Sequence, residues 1–241
     1  MADVSVAIII PALNEAKALP MVLEEIPASL VDCIIVVDNG SSDETAEVAR
    51  RAGAKVVREP RRGYGGACQA GLATLARQPP DVVVFLDADH SDYPQDLAEL
   101  LSPIRDGEAD LVCGSRVELA EASALSPHVR WGNGLATWLI ARLHGHNYRD
   151  LGPFRAIRWP ALQSLEMRDP AYGWNAEMQV KALQRKLRVS EVPVRYRQRV
   201  GRSKISGTVR GTLLAGSAIL WTIVALRFFA AARPGRRLRD S

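Results

Sequence analysis

The sequence predicts an α/β fold built on a mostly parallel sheet. Three features of the sequence point to it. Short β-branched apolar runs recur along the first 115 or so residues, each of strand length. Helix-length segments with one apolar face separate them, the alternation that parallel sheets require. Several of the runs also end in polar loops that carry carboxylates. Right-handed crossovers place the carboxyl ends of such strands on one edge, where open α/β sheets bind ligands.

In order, residues 4–10 form a β-branched run ended by Pro11, a buried strand by pattern. Residues 15–26 place Ala18, Leu19, Val22, Leu23 and Ile26 on one helical face. Residues 34–37 are the second strand, and Ser41 followed by Glu44 has capping-box spacing for a helix that stops near Gly53. Residues 55–57 read as a strand, 67–76 as a helix and 82–86 as a strand. Residues 94–105 form a helix with proline in its first turn, and 111–113 are a further strand. Trp131, Leu135, Trp138 and Leu139 mark one more helix, followed by a Gly-Asn loop that carries His144 and His146 as a surface turn.

The 241 residues suit one large domain, or one domain with an appendage. With 47% hydrophobic and 24% charged residues, and no Gly or Pro period, the chain is neither disordered nor collagen-like. Its net charge of +4 is unevenly placed: residues 193–241 carry eleven basic residues and one acid, which leaves the rest acidic by six. Such a tail suits phosphates or an anionic surface, or is simply a solvated charged face. Cys33, Cys68 and Cys113 are far apart and follow no zinc or disulfide spacing. With no basic, apolar leader pattern at the start, the expectation is a reducing, cytosolic setting.

Asp87 and Asp89 follow an apolar strand directly. In extended chain, positions i and i+2 point the same way, so both carboxylates can face one hard cation whose shell phosphate oxygens and water complete. Gly63-Tyr64-Gly65-Gly66 lacks the third small residue of a dinucleotide fingerprint, because position 68 is Cys. It remains a loop able to approach a phosphate or sugar closely, or a plain turn before a helix.

Taken together, PALNE (11–15), VVDNGSSDET (36–45), RGYGGACQAGL (62–72) and VVVFLDADHSDYP (82–94) resemble family 2 glycosyltransferases of the GT-A fold. GSR (114–116), DLGPFRAIR (150–158), NAEMQVKA (175–182) and VGRSKISGTVRG (200–211) are similar to the dolichyl- or polyprenyl-phosphate sugar synthase branch. The resemblance covers roughly residues 4–211 and implies a GT-A-type, Rossmann-like sheet flanked by helices, a catalytic domain over 1–210; hydropathy and charge add an apolar C-terminal helix and basic tail over 211–241. It also implies inverting transfer of a sugar from a nucleoside diphosphate sugar, with Mg2+ or Mn2+ at Asp87 and Asp89. Pro11, Ala12, Glu15 and Asp38 would line the nucleoside; Arg116 and Arg155 would face the acceptor phosphate. Arg202, Ser203 and Lys204 would close on the donor diphosphate. A phosphate acceptor needs little help from a base, whereas an alcohol acceptor would need one, and Glu177 is then the first candidate. Asn39 and Ser91 stand where the family more often has an acid and a Gln, which leaves the choice of sugar nucleotide open.

Residues 211–232 contain one charge, Arg227, and as a helix would be about 30 Å long. Both flanks are basic, +6 over 195–210 and +3 over 233–241, which suits a helix lying in an anionic interface better than a crossing. A buried or dimer-forming helix is the competing reading. The expected partners are therefore a nucleotide sugar, a lipid phosphate and the cytoplasmic membrane face, and not nucleic acid; a homo-oligomer stays open. A soluble acceptor, a sugar-1-phosphate nucleotidyltransferase and a non-catalytic nucleotide-sugar binder are the rival functions. The nucleotidyltransferase should carry a Gly-rich loop after the first strand, and PALNE is not one.

Overall fold

The computed structural model of the chain describes residues 4–201 and 209–229. In chain order the elements are β1 (Val6–Ala12), α1 (Leu19–Glu25), β2 (Cys33–Asp38), α2 (Thr45–Arg51), β3 (Lys55–Arg58) and α3 (Tyr64–Leu75). There follow β4 (Val82–Phe85), α4 (Leu97–Arg105), β5 (Leu111–Ala120), α5 (Pro127–His144), β6 (Arg155–Arg158) and α6 (Trp159–Leu165). The chain ends in α7 (Trp174–Gln184), β7 (Val189–Tyr196) and α8 (Val209–Phe228). One seven-stranded sheet has the order β3-β2-β1-β4-β6-β5-β7. The first four strands in that order are parallel; β6 runs antiparallel to both β4 and β5, and β5 pairs parallel with β7.

The sheet is covered on both faces, which is why its strands read as continuous apolar runs. Along β1, Ala7 and Ile9 point to one core, with Val37, Phe85 and Trp174, while Val6, Ile8 and Ile10 point to the other. The second core is closed by α4, whose Leu97, Leu100, Leu101 and Ile104 recur at helical spacing and are at most 1% exposed. Each such side chain contributes about 2 kcal/mol by burial.

Several local expectations change. The Ser41–Glu44 capping box does not form: α2 starts at Thr45, whose amide is accepted by Asp43 Oδ1 at 3.0 Å, and Ser41 Oγ accepts the Asn14 amide instead. The glycine loop is the first turn of α3, which begins at Tyr64. Its glycines admit another backbone: a Cβ on Gly65 would stand 1.9 Å from the Asp169 carbonyl oxygen. The Gly66 amide donates to Pro170 O at 2.8 Å and Gly65 to Ala171 O at 3.3 Å, so these two amides are spent on protein, while Gly63 and Tyr64 line a cleft shared with Asp87 and Asp89. His144 closes α5 and meets Ile223 O of α8 at 3.1 Å, rather than standing in a surface turn.

α8 docks by one face. Ile223 is fully buried and Ala215 nearly so, Thr222 Oγ1 donates to Asp169, and Gln184 Nε2 donates to Leu226 O. Among the described residues no helix is long and apolar enough to cross a membrane. The basic tail beyond Phe229 lies outside the described residues.

Candidate active site

The parallel strands β1, β2 and β4 end on the same edge, and their loops form a cleft of about 380 Å³. Pro11, Ala12, Leu13, Asn14 and Glu15 line one wall; Asp87, Ala88 and Asp89 form the floor; Arg62, Tyr64, Tyr172 and Arg199 close it. The walls are held by loop-to-loop bonds. Asn14 Oδ1 accepts the Ser42 amide at 2.7 Å, and Thr45 Oγ1 accepts the Glu15 amide at 2.8 Å. Asn39 uses its whole amide, donating to Glu59 O and Arg61 O and accepting from Gly63 N, which fixes the third loop.

Asp87 and Asp89 share this cleft, as their spacing predicts. Burial, and next the charge of Asp89, push the Asp87 carboxyl up to about 7. A crowded, desolvated pair of carboxylates fits a hard divalent cation. Among the described residues, no three His, Cys, Asp or Glu side chains converge as a metal cage. Asp87 and Asp89 are the residues that could hold such an ion, with other oxygens completing its shell. Asp92 sits nearby with neither carboxylate oxygen hydrogen-bonded among the described residues, and burial and the Asp87 charge raise its pKa.

Arg116, on β5, makes a forked ion pair with Asp150: Nε to Oδ2 at 2.7 Å and Nη2 to Oδ1 at 2.8 Å. Burial opposes the Asp150 charge, yet Arg116 holds it below the usual carboxylate range. Arg116 suffers the same burial and is held above its ordinary range by Asp150. Gly152 has to be glycine here, since a Cβ would stand 2.8 Å from Gly114 O and 3.2 Å from Arg116 Nε. Both partners line a second cavity of about 230 Å³ between β5 and α5, together with Arg130, Arg149, Val129 and Asn133. The Arg116 charge also acts on Asp87, lowering its pKa against the effect of burial.

Other expected site residues lie elsewhere. Asp38 is 2% exposed and accepts from Ser41 N at 2.9 Å; its neighbour Asn39 lines the cleft instead. Arg155 is fully buried beneath the site, where its guanidinium donates to the carbonyls of Gly152 and Asn175. Glu177 accepts the amides of Arg168 and Asp169 and pairs with Lys181 at 2.7 Å. It lines a different cavity, about 670 Å³, between α6, α7 and α8. The adjacent Asp87–Asp89 pair lies in the smaller cleft and not in this larger cavity. Arg202, Ser203 and Lys204 lie outside the described residues. Sequence reasoning missed Arg130, Arg149 and Arg199; Arg199 was visible only as part of the basic tail's charge, with no spacing to tie it to Asp89.

A solved structure with this fold covers 94% of the chain and 81% of its own at a TM-score of 0.75 and 25% identity. It is the glucosyl-3-phosphoglycerate synthase of Mycobacterium tuberculosis, in complex with Mn2+, uridine diphosphate and glucosyl-3-phosphoglycerate. The architecture is thus that of GT-A glycosyltransferases. Residues 7–163, more than half of the chain, match the model of glycosyl transferase family 2, and the chain belongs to that family. An uncharacterized glycosyltransferase of M. tuberculosis is 40% identical over 220 residues, 89% of this chain and 96% of that one. The dolichyl-phosphate hexose transferase of Haloferax volcanii is 33% identical over 218 residues, 88% of this chain and 92% of its own. The undecaprenyl-phosphate mannosyltransferase of Micrococcus luteus is 30% identical over 219 residues, 84% and 88%.

Proposed function

We propose that this family 2 glycosyltransferase moves a sugar, with inversion and with Mg2+ or Mn2+, from a nucleoside diphosphate sugar to a polyprenyl phosphate at the cytoplasmic membrane face. The observation that carries the reading is a cleft with paired carboxylates at the ends of the parallel strands, in one sheet with a β5–α5 cavity lined by Arg116, Arg130 and Arg149.

Pro11, Ala12, Glu15 and Asn39 line the nucleoside end, with Asp38 holding the loop behind them. A bound divalent ion at Asp87 and Asp89 supplies a Lewis acid that neutralises the diphosphate leaving group. Arg202, Ser203 and Lys204 close on the same diphosphate. Arg116, Arg130 and Arg149 surround the acceptor phosphate with positive charge, Arg116 with its fork held by Asp150 and Arg149 paired with Glu118. That phosphate is already anionic and needs no strong base, which agrees with Glu177 being committed to the 168–169 backbone.

The membrane side follows from α5 and α8. Trp131, Trp138, Trp221, Leu213, Leu214 and Phe228 are each more than half exposed. Neither helix contains an acid, and Arg130, Arg142 and Arg227 are interspersed. Tryptophan and arginine on an acid-free face are the chemistry of an anionic bilayer interface. The domain reading that results is a catalytic body with a membrane-facing C-terminal segment.

A soluble phosphorylated acceptor is the second reading, favoured by the likeness to a phosphoglycerate-dependent synthase. Diphosphate release over a panel of nucleotide sugars with Mn2+ tests both, with polyprenyl phosphate in vesicles and with 3-phosphoglycerate as acceptors. Transfer to the lipid supports the first reading. Transfer only to the soluble phosphate removes it, and no release with any donor removes the enzyme reading for this chain.

A further inference from the structure

Asp89 is 6% exposed, and both its oxygens are engaged. Ser91 donates its amide and its hydroxyl to Oδ1, and Arg199 Nη1 lies 2.9 Å from Oδ2. The backbone delivers Arg199 there. Past the end of β7, the Arg197 amide donates to Ser91 O at 2.9 Å and the Val200 amide to Asp89 O at 3.0 Å. This run of chain is thereby zipped onto the carboxylate loop. Arg197 is anchored further by Glu25 and by the Tyr93 ring, 4.2 Å from its guanidinium carbon. The Arg199 side chain lines the donor cleft and its charge also acts on Asp87.

One cation is therefore already in place at the carboxylate pair. A divalent ion cannot take Asp89 Oδ2 while a guanidinium holds it, because the two cations repel strongly at that distance. We propose that Arg199 is a positioning residue, the resident counter-ion of Asp89 in the donor-free enzyme. It gives up the carboxylate when a metal ion arrives with a nucleoside diphosphate, and turns to the diphosphate, whose oxygens suit its forked donors. The inference rests on the reading of Asp87 and Asp89 as the metal carboxylates. Its consequence is an order of events: metal alone binds weakly, metal with nucleotide binds well, and Arg199 supplies part of that coupling.

The test is a titration of Mn2+ into the full chain, followed by the electron paramagnetic resonance of free Mn2+. It is run with and without UDP or GDP, for the wild type, Arg199→Gln and Arg199→Lys, each with its thermal unfolding recorded. Loss of a charge-assisted pair predicts that Arg199→Gln binds Mn2+ alone about tenfold tighter than the wild type. The gain from nucleotide should shrink by about the same factor, and Arg199→Lys should stay within about threefold of the wild type, since it keeps the charge. Equal or weaker Mn2+ binding by folded Arg199→Gln overturns the proposal. Should that variant not fold, Arg199→Met carries the same readout. If the wild type binds no Mn2+ with either nucleotide, the metal reading of the carboxylates fails and the role of Arg199 falls with it. If it does bind and Arg199→Gln is no tighter, only the role of Arg199 fails.

Discussion

Replacing Asp150 by Asn keeps the shape of the side chain and removes the charge that Arg116 faces. Asp150 is 1% exposed and accepts three bonds from Arg116, two from the guanidinium and one from the backbone amide. Removing one partner of a buried pair typically costs about 3–5 kcal/mol. The Arg116 side chain keeps 12% of its exposure, and Asn can still accept one of the bonds, so about 2–3 kcal/mol is the expected loss. For a chain of this length that lowers Tm by roughly 5–10 °C, measured by thermal unfolding. Because Asp150 has its pKa lowered in the fold, the pair stabilises fully above the unfolded carboxylate value, about 3.9. The gap between wild type and variant should be flat from about pH 5 to 8 and close as the pH falls below about 4. A Tm within 1 °C of wild type at pH 7, or a gap that widens in acid, would refute the assignment of Arg116–Asp150 as the brace of this edge. The same variant should raise the acceptor KM more than it lowers kcat, since the guanidinium loses its fixed orientation.

Three further outcomes are expected. Asp89→Ala should abolish metal-dependent diphosphate release, and retained turnover would remove Asp89 from the site. Glu177→Gln should lose about 1–3 kcal/mol of stability through its weakened grip on the 168–169 amides, while kcat changes less than about tenfold; a folded variant with kcat down a hundredfold would restore a base role. Changing Trp131, Trp138 and Trp221 together to Glu should abolish sedimentation with anionic vesicles and leave Tm within a few degrees, because all three side chains stand outside the core. Undiminished vesicle binding would count against the α5–α8 face.

Much of the nucleotide-binding half is legible in the sequence because its signals are local. Strand runs at 34–37 and 82–86 are apolar on both faces, and the acids that end them stand on the parallel edge where crossover geometry places them. The misread features are those in which a remote segment competes for a local group. Ser41 has capping spacing, but the Asn14 amide takes its hydroxyl. The amides of Gly65 and Gly66 serve the backbone at 169–171, a hundred residues away, which the local sequence could not show. Arg155 and Glu177 carry charges suited to catalysis, and both are buried, Arg155 against backbone carbonyls and Glu177 against backbone amides and Lys181.

By itself the sequence determined the class of fold, the family resemblance and the paired carboxylates at Asp87 and Asp89, since strand periodicity and i, i+2 geometry need no distant partner. Only the tertiary structure decided that β6 runs antiparallel between β4 and β5 and so brings β5, with Arg116, into the sheet. It alone set Arg199 on Asp89, Asp150 on Arg116, and α8 on α5 with an aromatic face turned outward. The physical reason is range. A hydrophobic pattern is read within one turn or one strand, whereas a charge's role depends on which opposite charge, 34 residues away for Arg116 and 110 for Arg199, the chain folds back to meet.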